Sequence, residues 1–201
     1  MTSLSTTHTG GRAGARRLLV AAAVSVCVAL PGAHLAATVD PAPAPEVIVR
    51  EARGTYSVTA RFEVPQPPAV ALAVLSDYEQ IPRFMPGVRT SVVRERTPGR
   101  VVVEQEAVSQ FMLFSKQVHL LLDVTEEEGV IRFVDRSGRS FRRYEGAWQA
   151  IRQDGGTTIT YELAARPAFD VPEFILKRLL KRDSGQMINC LRREIAARAA
   201  R

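Results

Sequence analysis

The sequence predicts an α+β domain: one curved antiparallel sheet of about seven strands, two short helices after the first strand, and a long C-terminal helix over a cavity. Three observations carry this. Apolar and polar residues alternate through successive segments separated by Gly-containing turns, the pattern of consecutive hairpins. After the first of these segments the spacing turns helical over Pro68–Phe84. The closing stretch, Val171 to Arg201, keeps three- and four-residue apolar steps.

The chain has 201 residues, 46% apolar and 24% charged, which is the composition of one globular domain. Its N-terminus departs from that average. Arg12, Arg16 and Arg17 precede the apolar run Leu18 to Leu30, then Pro31-Gly32 and the small residues Ala36 and Ala37. This is the order of a secretory signal peptide over residues 1–37, with cleavage near Ala36 or Ala37 and a periplasmic or secreted product. The run is shorter than the roughly 20 residues of a membrane-spanning helix. Removing the three arginines takes the net charge from +6 to 24 basic against 21 acidic residues. Cys27 leaves with the signal, so Cys190 stands alone and no internal disulfide is expected. Residues 38–53 read as a linker, with DPAPAP at Asp40 to Pro45 its semi-rigid part, and 54–201 as the folded domain.

The first strand is Gly54 to Val64, with Tyr56, Val58, Ala60, Phe62 and Val64 on one side, stopped by Pro65, Pro67 and Pro68. Pro68 to Leu75 follows as a helix, and Ser76 or Asp77 is placed to cap a second one running through Ile81 and Phe84. Six strands come next: Val88 to Arg96, Arg100 to Gln110, Leu113 to Thr125, Val130 to Ser137, Arg142 to Arg152 and Thr157 to Ala168. In the closing helix, Pro172 suits the first turn and Asp170 is placed to cap it. Leu176, Leu179, Leu180, Met187, Cys190, Leu191 and Ile195 form an apolar stripe opposite a basic face. Asp183-Ser184-Gly185 interrupts the stripe, either as a kink or as polar groups facing a cavity.

The segment PPAVALAVLSDYEQIPRFMPGVRTSVV, Pro67 to Val93, carries Asp77, Tyr78, Ile81, Pro82, Phe84, Met85 and Pro86 at the spacing of a known family's opening helix pair. Tyr144, Gly146 and Trp148, then Pro172-Glu173-Phe174-Ile175 and Leu191-Arg192, extend the match to about residues 54–198. The chain thus resembles the START-like (SRPBCC) superfamily, specifically its polyketide cyclase/dehydrase branch, and is similar to coenzyme Q-binding START-like proteins. The resemblance implies the helix-grip fold and a cavity for a small hydrophobic ligand. It covers lipid, sterol and quinone carriers as well as ring-closing enzymes, so chemistry must come from the site.

The apolar residues Phe84, Met85, Phe111, Met112, Phe114, Trp148, Phe169, Phe174 and Met187 are the candidate lining for a lipid or quinone, with Tyr161 a polar member. Core packing would use the same residue types. Phe111 to Phe114 are four consecutive large apolar residues that cannot share one strand face, which leaves a pocket rim, a membrane contact or a dimer contact open. A cyclase would need a base and an enolate stabiliser, for which Arg143, Tyr144 and Glu145 are the weak catalytic candidates. His119 falls on the less buried strand face. No metal motif, phosphate loop or catalytic triad is present in the sequence, and no cofactor is called for. The absence of a long basic tract argues against nucleic acid, while basic residues beside an apolar lip suit a transient membrane-surface contact. The expected function is an exported, non-enzymatic carrier of a lipid, isoprenoid or quinone-like ligand. An aromatase/cyclase and a protein-interaction adaptor are the alternatives.

Overall fold

A computed structural model of the chain describes residues 45–111 and 114–201, with side chains at all of these but 110, 111 and 114. The expected export signal, Cys27, the cleavage point and the linker up to residue 44 lie outside the described residues, as does Met112.

The elements are β1 (Glu46–Ala52), β2 (Thr55–Val64), α1 (Pro68–Leu75), a 3-10 turn (Tyr78–Gln80), α2 (Ile81–Phe84), β3 (Val88–Thr97), β4 (Arg100–Phe111), β5 (Phe114–Glu127), β6 (Val130–Asp135), β7 (Phe141–Gln153), β8 (Gly156–Pro167) and α3 (Glu173–Ala199). The sheet order is β1-β2-β8-β7-β6-β5-β4-β3, every neighbouring pair antiparallel. The first hairpin therefore closes on the last strand, and the two short helices carry the chain to the opposite edge. This is the α+β architecture that the patterning predicts, in the helix-grip arrangement that the resemblance implies.

One strand is additional. β1 lies inside the stretch read as linker and brings the sheet to eight strands. Arg53 and Gly54 both have positive φ, 54° and 76°, the requirement of a two-residue hairpin turn that matches strand twist. Val47 and Val49 pack against the core, while their neighbours face solvent. As an edge strand, β1 carries more charge than its apolar alternation suggests.

Alternation decides which face is buried. Val58, Ala60 and Phe62 on β2, Ile159, Tyr161 and Leu163 on β8, and Val101 and Val103 on β4 are all 5% exposed or less. The register pairs Gly146 of β7 with Phe133 of β6 and Leu163 of β8 on this inner face. A Cβ at Gly146 would collide with the Glu162 carbonyl oxygen and lie 2.6 Å from Phe133 Cζ. The missing side chain thus lets the β8 backbone and the Phe133 ring approach β7 closely at this point.

α3 begins at Glu173, not Val171, because Pro172 itself occupies the N-cap, with no side-chain cap bond. Asp170 does not cap the helix, and Glu173 supplies the first-turn acid, paired with Lys177 one turn on at 2.5 Å. Helix α3 runs unbroken through Asp183-Ser184-Gly185. Ser184 is buried, and Asp183 Oδ2 accepts a hydrogen bond from Ser109 Oγ of β4 at 2.5 Å. Asp77 likewise makes no side-chain cap bond. It pairs with Arg198 at 2.8 Å, and Arg198 also holds Glu194 at 2.8 Å, tying the end of α3 to the helix pair. Tyr78 Oη donates to Glu126 Oε1 of β5 at 2.6 Å, and burial followed by that bond pushes its hydroxyl pKa upward. On the outer face, Asp123 of β5 joins Arg100 of β4 at 2.7 Å and Arg136 beyond β6 at 3.2 Å.

Two outcomes follow from this packing. Gly146→Ala forces the Phe133 ring and the β8 backbone away and is expected to lower unfolding stability by about 1–3 kcal/mol in urea titration; an unchanged midpoint would contradict the close approach. The Arg100 hydrogen bond holds the Asp123 carboxyl below its ordinary range. Its stabilisation is present above the unfolded-state carboxyl pKa and is lost as pH falls through the lower folded-state value. Asp123→Asn should therefore flatten the fall of Tm between about pH 5 and about pH 2.

Candidate functional site

α3 packs against β1 and β2 at one edge, touches β4 toward the other, and leans on α1 and α2. It bridges the middle of the sheet, where strands β5 to β8 present their largest inward side chains. These form a continuous aromatic stack. Trp148 and Tyr161 have ring centroids 4.3 Å apart, Tyr161 and Phe133 6.4 Å, Phe133 and Tyr144 5.9 Å, Tyr144 and Phe141 4.8 Å, and Phe141 and Phe169 6.4 Å. Tilted pairs at such separations are favourable beyond the area they bury.

The stack is not sealed. Tyr144 is surrounded by protein yet retains accessible surface, and Val118 and Leu122 on the inner face of β5 are also only half-buried. Phe84 and Met85, at the end of α2, and Met187 and Leu180 on α3 are half-buried against the same core. Apolar side chains with residual exposure on an inward face suit a hydrophobic ligand.

Polar groups enter this surface at three points. The Tyr144 and Tyr161 hydroxyls interact, which acts to lower the pKa of the first and raise that of the second. Burial dominates for both: it pushes Tyr144 up to about 12 and Tyr161 well above its ordinary value. Both hydroxyls stay protonated at neutral pH. Gln105 Nε2 of β4 donates to the buried Ser91 Oγ of β3 at 3.0 Å. At the end nearest the β4–β5 turn, Ser109 bonds Asp183, and Lys116 Nζ sits 4.5 Å from the Phe169 ring centroid.

The residues singled out in the sequence divide by face. Phe84, Met85, Tyr144, Trp148, Tyr161, Phe169 and Met187 gather at the interior. Phe174 is 72% exposed on the first turn of α3 and points away from it. Phe111 and Phe114 are register partners closing the β4–β5 ladder. Arg143 and Glu145 flank Tyr144 on the strand and so face outward, joined as an ion pair at 2.5 Å. Glu145 borders an open outer trough of about 520 Å³ whose lining also includes Arg132 and Glu162. His119 also faces outward, its Nε2 3.6 Å from Glu104 Oε1. Phe133, Phe141, Ser109 and Lys116 belong to the inner face without having been singled out. Lys116 is in phase with Val118, Leu120, Leu122 and Val124, an apolar run that would have placed it inward.

The family profile described as polyketide cyclase/dehydrase and lipid transport matches residues 64–192. Among solved structures, the STAR-related lipid transfer protein from Xanthomonas axonopodis is similar at TM-score 0.64 and 16% identity, over 78% of this chain and 96% of that one. The Zhui aromatase/cyclase from Streptomyces sp. R1128 gives TM-score 0.62 and 15% identity over 72% and 96%. TTHA0849 from Thermus thermophilus gives 0.61 and 23% over 70% and 97%. No curated protein matches the chain. At these identities the structural likenesses speak for the fold, while the profile spans well over half of the sequence. The chain belongs to the polyketide cyclase/dehydrase and lipid transport family, and its fold is START-like.

Proposed function

We propose that this protein is an exported, non-enzymatic carrier that holds a lipid, isoprenoid or quinone-like molecule between the inner face of the sheet and α3. The observation that carries the reading is the unsealed aromatic stack beneath a bridging helix, with the half-buried Tyr144 among its rings. Apolar contact supplies most of the binding, at roughly 25 cal/mol per Å² of surface withdrawn from water, and the hydroxyl orients a carbonyl or hydroxyl group of the ligand. Phe84, Met85, Trp148, Tyr161, Phe169 and Met187 join Tyr144 as the proposed lining. A brief contact with a membrane surface, using the basic outer face of α3 and the exposed Phe174, would let the carrier collect its ligand.

The cyclase reading keeps one specific support: the Tyr144 hydroxyl could donate to an enolate oxygen. It loses Arg143 and Glu145, which lie across the sheet from the ligand space.

Native and denaturing mass spectrometry of protein made from the full-length chain in a Gram-negative host tests the carrier. The expected result is a mass set by cleavage near Ala36 and a co-purifying hydrophobic adduct. An uncleaved, ligand-free product would overturn it. Tyr144→Phe removes one hydrogen bond and should weaken retention of that adduct by about tenfold or less. A cyclase would instead bind a polyketide-like substrate and lose turnover in this variant.

A further inference from the structure

The inner face of the β4–β5 hairpin changes character along its length. Val101, Val103, Leu120 and Val124 are buried and apolar, whereas the register pair Ser109 and Lys116, near the turn, is polar. Direct register partners project to the same side of a sheet, and Ser109 bonds Asp183 of α3, so Lys116 also projects inward. The half-buried Lys116 ammonium rests 4.5 Å from the ring centroid of Phe169, the terminal ring of the aromatic stack.

Asp183, the acid bonded to the register partner of Lys116, is already engaged. Asp183 receives Ser109 on Oδ2 and Arg182 on Oδ1, at 2.5 and 2.9 Å. Among the described residues Lys116 makes no ion pair with a carboxylate, and its contact is with the ring. A ring face holds a cation in place but offers no hydrogen-bond acceptor for its three N–H groups. An ammonium withdrawn partly from water at the end of an apolar surface favours a ligand that brings its own negative charge.

On the carrier reading above, we infer that the ligand is an amphiphile with an anionic head, a carboxylate or phosphate group bound by Lys116, and a tail lying along the stack toward Tyr144. Lys116 then sets head-group specificity. A neutral ester of the same tail fills the same apolar surface but cannot answer the charge.

Isothermal titration calorimetry of delipidated protein, made from the full-length chain, tests this with dodecanoate, methyl dodecanoate, acetate and inorganic phosphate. The expected result is dodecanoate bound at least about tenfold more tightly than its methyl ester, with no measurable binding of acetate or phosphate. Lys116→Met, which keeps the stem on Phe169, should abolish that preference, and Lys116→Arg should keep it. Equal affinities for acid and ester in the wild type, or a preference surviving in Lys116→Met, would overturn the head-group site and leave the carrier intact. Saturable binding of acetate or phosphate alone would make this a free-anion site and overturn the amphiphile. Failure to bind either dodecyl compound would overturn the carrier and the head-group site together. Thermal melts of both variants within a few degrees of wild type confirm that folding is not what was lost.

Discussion

A single helix has to cover the inner face of an eight-stranded sheet, and an α-helix offers only one apolar stripe. That mismatch shapes the rest of the molecule. α3 resolves it by resting on β1 and β2 and reaching across to β4, with α1 filling in against β7 and β8. The middle strands meet no continuous helical surface, so they carry the widest side chains available. Trp148, Tyr161, Phe133, Tyr144 and Phe141 turn an area that one helix cannot cover into a ring-lined wall. Gly146 is the counterpart of this solution, since the Phe133 ring and the β8 backbone leave no room for a side chain at that point.

A bridging helix also needs its supports fixed. Asp77 and Arg198 fasten its last turns to the segment after α1, Ser109 and Asp183 fasten its middle to β4, and Lys177 sits in its first turns beside Glu173. Tyr78 anchors the 3-10 turn to Glu126 at the far end of β5. The Asp77-Tyr78 pair that marks the family in the sequence is therefore a structural clamp in the fold. One residue holds the helix and its neighbour holds the sheet, which accounts for their adjacency without any catalytic role.

Much of this was legible in the sequence because it follows from period alone. Strand alternation placed the inner face of β2, and the Gly-containing turns marked the hairpins, whereas Arg143 and Glu145, weak catalytic candidates in the sequence beside Tyr144, lie on the opposite face from it. What period could not supply was context. β1 was hidden by the Pro/Ala-rich residues before it and by the charges of an edge strand. Phe174 looked like lining because its stripe could not be phased near the helix start. The caps expected from Asp170 and Asp77 failed, the first because Pro172 occupies the N-cap and the second because Asp77 faces Arg198. The polar end of the interior depends on the pairing of Ser109 with Lys116: the apolar phase of β5 turns Lys116 inward, and the register sets Ser109 beside it.

The central claim is that a ligand lies on the aromatic wall beneath α3, and the chain contains a single tryptophan, Trp148, at one end of that wall. Quenching of its fluorescence by a bromine-labelled alkyl chain, compared with quenching by aqueous iodide, measures contact at that place directly. The account predicts saturable quenching by the brominated chain and little by iodide, since Trp148 is only 9% exposed. Binding of the brominated chain with Trp148 emission unchanged would contradict it, because the ligand would then lie elsewhere on the molecule.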